Sequence, residues 1–208
     1  VNSVLARLRE ASVTTINETT YSTLIGKFIN DAKRQVEDAY AWEALSTTIT
    51  LPTVASTTTY TVSGSGRRQK AVYVNNATSK FKLANVPIQW ITDQQQLSDV
   101  QSGAPTYYAW NGWDGTDSKV EIYPTPDGVY SLKFNMNVAQ VELGADADIL
   151  LVPEEPVIFG AYARALVERG EDGGLNSSEA QAIYRSSLSD AIALESSRFI
   201  EEDSWVPT

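Results

Sequence analysis

The sequence predicts an α+β protein in which an antiparallel β-sandwich or barrel is inserted into an α-helical bundle. Three observations predict it. Apolar residues recur at helical spacing at both ends of the chain and at alternating spacing between them. The middle is rich in Thr, Val and Tyr and is punctuated by Gly, Asn and Asp pairs. The long amphipathic helix near the start has one large apolar helical partner, a helix pair near the end.

Val4, Leu5 and Leu8 predict a short helix over roughly residues 2–11. Leu24, Ile25, Phe28, Ile29, Ala32, Val36, Ala39 and Tyr40 share one helix face, while Lys27, Lys33, Arg34, Glu37 and Asp38 fall largely on the other. That helix is expected from about residue 20 to about 45, with Thr19 or Thr20 as its N-cap.

From Ser46 to Thr61 the chain is dense in Thr, with Ile49, Leu51, Val54 and Tyr60 interleaved. β-rich runs follow at about 58–62, 70–75, 80–84, 105–110, 118–123 and 129–137. Turn signals separate them: Gly64-Ser65-Gly66, Asn75-Asn76, Asn111-Gly112, Asp114-Gly115 and Asp127-Gly128. The stretches Lys119–Tyr123 and Tyr130–Phe134 alternate cleanly, so each buries one face. A short helix near 91–99, capped by Thr92 or Asp93, interrupts the strands, of which there are six or seven.

Pro153-Glu154-Glu155-Pro156 is a helix start, with prolines in the first turn and carboxylates at the positive end of the helix dipole. Ile158, Tyr162 and Leu166 stack four apart before the glycines from Gly170 to Gly174 end the helix. Asn176 with Glu179 resembles a capping box for a last helix carrying Ala180, Ile183, Tyr184, Leu188, Ala191, Ile192 and Phe199 on one face. The short loop makes these two helices an antiparallel hairpin. The expected organisation is therefore N-terminal helices over 1–45, an inserted antiparallel β domain over 46–152, a helix hairpin over 153–199 and an acidic tail over 200–208.

Composition narrows the function. None of the 208 residues is Cys or His, which removes thiol nucleophiles, disulfides, Cys/His zinc sites and every imidazole acid or base. Sixteen Lys and Arg against 26 Asp and Glu leave a net charge of −10, which repels phosphate backbones. The acidity is concentrated after residue 153. No apolar run reaches the length of a membrane span, and Arg7, Arg9 and Glu10 break up any signal-peptide pattern, so a soluble protein is expected.

Carboxylates are the remaining conventional acid–base groups. Asp114 and Asp117 sit in a Gly-rich turn, and Asp146 and Asp148 precede an apolar run, both patterns that turn-forming Asp produces by itself. Asp146 and Asp148 also fail the spacing of a calcium loop. Catalysis is not expected, and no cofactor or metal is called for.

Other segments suit binding. The aromatics of the Tyr107–Trp113 run, above all Tyr107, Trp110 and Trp113, form either a stacking platform for sugar or protein or an ordinary strand with alternate rings in the core. Trp113, between glycines, is the more exposed candidate. Arg67 and Arg68 after Gly64-Ser65-Gly66 suit a solvated hairpin edge or an intersubunit ion pair, and the glycines lack the Lys-Ser/Thr of a phosphate loop. The acidic tail is either a frayed end or a docking segment in which Phe199 and Trp205, with Glu201 and Glu202, would meet a partner.

The order of several short motifs resembles a known family. The long helix closing on Trp42-Glu43-Ala44-Leu45, the Tyr60-Thr61-Val62 step and Gly103-Ala104-Pro105-Thr106-Tyr107 are similar to segments of bacteriophage head-to-tail adaptor proteins, the first two to their start and the third to the Gly-x-Pro-x-Tyr step they carry before a strand. So are the hairpin Val120-Glu121-Ile122-Tyr123-Pro124-Thr125-Pro126 with Tyr130-Ser131-Leu132, and the helix pair after Asp148–Pro153. The resemblance covers roughly residues 20–195. It implies a non-enzymatic structural protein of the virion, assembled in the host cytoplasm. Twelve copies would form a homo-oligomeric ring beneath the portal protein and offer a platform to the tail nozzle or another tail protein. Viral double-stranded DNA would pass through the lumen without specific binding, and no membrane is involved. A carbohydrate- or protein-binding module that uses the β-domain aromatics is the alternative.

Overall fold

The computed structural model describes residues 1–97, 99–170 and 175–198. The elements are α1 (Asn2–Arg7), α2 (Thr20–Ala39), a 3₁₀ turn (Glu43–Leu45), β1 (Ser46–Pro52), β2 (Thr59–Thr61), β3 (Gln69–Asn76), β4 (Phe81–Asn85), α3 (Ile88–Gln96), β5 (Tyr107–Trp113), β6 (Ser118–Tyr123), β7 (Ser131–Val138), α4 (Glu154–Arg169) and α5 (Leu175–Ser196). The protein is thus mixed α+β. It divides into two compact units, one of Val1–Ala44 with the chain from Gln140 onward, the other of Leu45–Ala139.

In the helical unit α2 starts at Thr19. The Thr19 hydroxyl accepts the Ser22 N–H at 2.9 Å while the Ser22 hydroxyl accepts the Thr19 N–H at 3.1 Å, so two orphan donors are satisfied reciprocally. The helix ends at Ala39, short of the expected residue 45, because Tyr40 turns extended at φ −146° and ψ 165°. The chain then doubles back, and the buried Trp42 indole N–H donates to the Val36 carbonyl in the last turn of α2 at 2.7 Å. α1 is also shorter than expected, and Arg9 beyond it takes φ 59°.

Lys33 and Glu37, expected on the solvent face, are buried. The Lys33 ammonium lies 3.0 Å from Glu37 Oε1 and donates to the carbonyls of Gln140 at 2.7 Å and Val141 at 3.2 Å. Glu37 Oε1 accepts the Gln140 N–H at 3.1 Å. One turn earlier Asn30 exchanges two hydrogen bonds with the Leu143 backbone, both 2.9 Å. The returning segment 140–143 is therefore laid along α2, and it belongs to the helical unit.

α4 packs against α1, α2 and α5. The approach is closest at Gly160, where a Cβ would stand 3.0 Å from Ala32 Cβ and 3.2 Å from the Tyr184 ring, so only glycine fits without movement. Pro153 caps α4 and Gly170, at φ 64°, closes it with its N–H on Leu166 O. Just before that, the Arg169 guanidinium lies 5.1 Å from the Tyr21 ring centroid and donates to the Tyr21 hydroxyl, Leu8 O and Glu10. α5 is already helical at Leu175, so Asn176 lies within it rather than capping it. Of its expected inner face, Ala180 and Tyr184 are buried while Ile183 is 42 % exposed.

The strands of the β unit form one seven-stranded sheet in the order β1-β7-β3-β4-β5-β6-β2. It is not wholly antiparallel: β4 and β5 pair in parallel, Ala84 opposite Tyr107. Parallel neighbours need a long crossover, and α3 with residues 97–106 supplies it. α3 starts at Ile88 after Pro87, earlier than residue 91, because proline's fixed φ is pre-set for a helix entry. The sheet curls. Its edge strands β1 and β2 are consecutive yet unpaired, and a Cβ on Gly64 would lie 3.9 Å from Ile49 Cδ1. Inside the curl pack Val62, Val74, Leu83, Tyr108, Val120, Ile122, Leu132, Phe134 and Met136. A smaller cluster of Ile91, Ala109 and Tyr123 lies under α3.

Removing one partner of the buried ion pair strands the other. Lys33→Met is expected to lower unfolding free energy by about 3–5 kcal/mol in urea titration. Lys33→Met with Glu37→Leu should recover part of that loss and no more, since the Gln140 N–H and the two carbonyls stay orphaned.

Candidate functional site

Asn111-Gly112, expected as a turn, lies inside β5. The β5–β6 register shifts between Trp110 and Trp113, and Gly112 takes φ 76°, a left-handed conformation that glycine adopts without strain. Trp110 packs on Phe134 at 6.0 Å and Tyr108 at 6.3 Å between centroids, and Tyr107 packs on Trp90 at 4.7 Å. Trp113 beyond the bulge is 45 % exposed.

Trp113 does not stand by itself. Asp117 Oδ1 accepts the N–H groups of Gly64 at 3.1 Å and Gly66 at 2.9 Å, and the Ser65 hydroxyl accepts the Ser118 N–H at 3.1 Å. The loop 63–66 is thereby sewn onto the β5–β6 hairpin. Arg67, next in the chain and exposed, sets its guanidinium 5.1 Å from the Trp113 ring centroid. Arg68 instead is half-buried and its carbonyl accepts the Ala139 N–H at 3.3 Å. Arg67 and Trp113 are thus the two predicted residues that come together in the open.

The acidic candidates are structural. Asp114 Oδ1 accepts the N–H groups of Asp117 at 2.8 Å and Thr116 at 2.9 Å. These bonds hold its carboxyl below the usual carboxylate range. Asp148 accepts from Ala145 and Gly144, with the same consequence. Asp146 accepts the Ile16 N–H at 2.7 Å. Among the described residues no group of three Asp, Glu, His or Cys could hold a metal ion, and no helix is long and apolar enough to cross a membrane.

The helical unit carries a surface that residue spacing did not point to. Trp42, Ala44, Leu151 and Pro153 line an apolar groove rimmed by Glu43, Glu195 and Arg198. Glu195 is buried and tied down, accepting the Glu43 N–H at 2.9 Å and pairing with Arg198 at 3.0 Å. The apolar run Ile149–Val152 was the signal in the sequence, read there as the approach to α4; Ile149 and Leu151 are exposed. Charge is also divided unevenly. The β unit holds seven Lys and Arg and six Asp and Glu, the remainder of the chain nine and twenty. Phe199, Glu201, Glu202 and Trp205 lie outside the described residues.

These surfaces offer contact area and charge, the equipment of a structural adaptor. A family model described as SU10 adaptor protein matches residues 2–204, and the chain belongs to that family, as the resemblance to phage head-to-tail adaptors indicated. No curated protein matches the chain.

The two tryptophans separate core from surface. Trp110→Ala is expected to cost about 3 kcal/mol in chemical denaturation, whereas Trp113→Ala should leave the midpoint nearly unchanged. The carboxyls give a pH dependence. Because the folded-state pKa of Asp148 is lowered, its contribution is complete above the ordinary carboxylate pKa of about 4 and is lost as pH falls through the depressed value. Urea midpoints measured across acid pH should therefore fall less steeply in Asp148→Asn than in the unmodified protein.

Proposed function

We propose that the protein is a head-to-tail adaptor of the phage virion, acting without catalysis. It forms a ring of twelve copies beneath the portal protein, joins capsid to tail and offers a platform to the tail nozzle or another tail protein. The observation that carries this reading is the family match over residues 2–204. Charge supports it. With a net charge of −10, a lumen built from this chain binds phosphates weakly, so double-stranded DNA slides through without being held. Carbohydrate binding is the weaker reading, because Tyr107 and Trp110 turn their rings into packing and leave no broad aromatic platform beside Trp113.

Sedimentation of the purified chain, by itself and mixed with the portal protein of the same genome, tests the proposal. Co-migration as one large complex at fixed stoichiometry is expected. A chain that sediments as free monomer in both runs overturns it.

A further inference from the structure

We infer that the Arg67–Trp113 tip of one copy docks into the Trp42–Leu151–Pro153 groove of the next copy, so that the ring closes through a head-to-tail contact between unlike surfaces of identical chains. The inference rests on the ring proposed above and names the contact that closes it.

The tip has the chemistry of an anchor. Trp and Arg are the residues that most often dominate interface energies, above all when held rigid before binding. Here the rigidity is visible. Trp113 is 45 % exposed at the end of β5, and Asp117 pins the loop that delivers Arg67. The guanidinium Cζ lies over the indole, 5.1 Å from its centroid, within cation–π range. Such a group, flanked by an exposed aromatic ring, fits an apolar recess with carboxylates at its edge.

The groove is such a recess. Leu151 and Pro153 offer an apolar wall, and Leu151 is 46 % exposed in the single chain. Glu43 stands exposed on the rim, with Glu154 and Glu155 exposed just beyond Pro153. The carboxylate of Glu195, already paired with Arg198, holds the rim in place through the Glu43 N–H. The division of charge selects a second copy as the occupant: the tip belongs to the unit with seven Lys and Arg against six acids, the groove to the part with nine against twenty. Unlike surfaces on one chain produce a ring whenever the rotation between neighbours closes.

The chain has no cysteine, so introduced thiols report this contact directly. Thr116→Cys sits at the exposed tip and Ala44→Cys at the exposed groove wall. In rings assembled on the portal protein and mildly oxidised, the double variant should run as a ladder of multimers on a denaturing gel. Either single variant should stay monomeric, and a mixture of the two singles should stop at dimers. Arg67→Glu should weaken ring assembly about tenfold or more, and adding Glu43→Arg should restore it. The inference is overturned by Thr116→Cys cross-linking to itself, by rings that form undiminished with Arg67→Glu, or by a tip that cross-links to portal or tail protein instead. Absence of any ring from the unmodified chain overturns the adaptor ring itself and this contact with it, and that outcome is seen before any variant is made.

Discussion

The arrangement of the helical unit depends on one buried ion pair. Lys33 and Glu37, four apart on α2, are 1 % and 2 % exposed at their side chains, and two charges so placed are costly unless every polar atom around them is matched. The Lys33 ammonium and Glu37 Oε1 are matched by residues more than a hundred positions away, the carbonyls of Gln140 and Val141 and the N–H of Gln140. Those are the first residues after the β unit ends. The pair thus acts as a registration device: it is tolerable only when the chain re-enters the helical unit at this place. Asn30 on Leu143 and Trp42 on Val36 extend the same logic to the rest of the α2 surface, each joining a side chain to a backbone group.

With the returning segment in place, small residues bring the helices together. Gly160, Ala161, Ala163 and Ala165 let α4 lie against three other helices, and Tyr184 and Ala32 close over the glycine. Few large apolar side chains are left to spread between helices, and so α5 keeps Ile183 and Leu194 at its surface.

The β unit uses its acids in a comparable way. Asp114 and Asp117 each turn Oδ1 onto backbone N–H groups of adjacent turns. Their product is a loop tied to the β5–β6 hairpin. The family to which the chain belongs, SU10 adaptor protein, is one of structural adaptors.

The sequence by itself determined the α+β class, the Thr19 or Thr20 start of α2, the stop at Gly170 and the absence of imidazole and thiol chemistry. Each of these follows from local rules, periodicity, capping and composition, that need no distant contact. It also carried the family resemblance, since short motifs in a fixed order survive without coordinates. Only the tertiary structure decided that Lys33 and Glu37 are inside, because their neutralising partners are separated from them along the chain. The same holds for the parallel β4–β5 pair, whose register depends on a crossover, and for the approach of Arg67 to Trp113, residues of separate strands' loops that are far apart along the chain. The groove at Trp42 required both ends of the chain to meet, and periodicity, which reads one segment at a time, has no access to such a meeting.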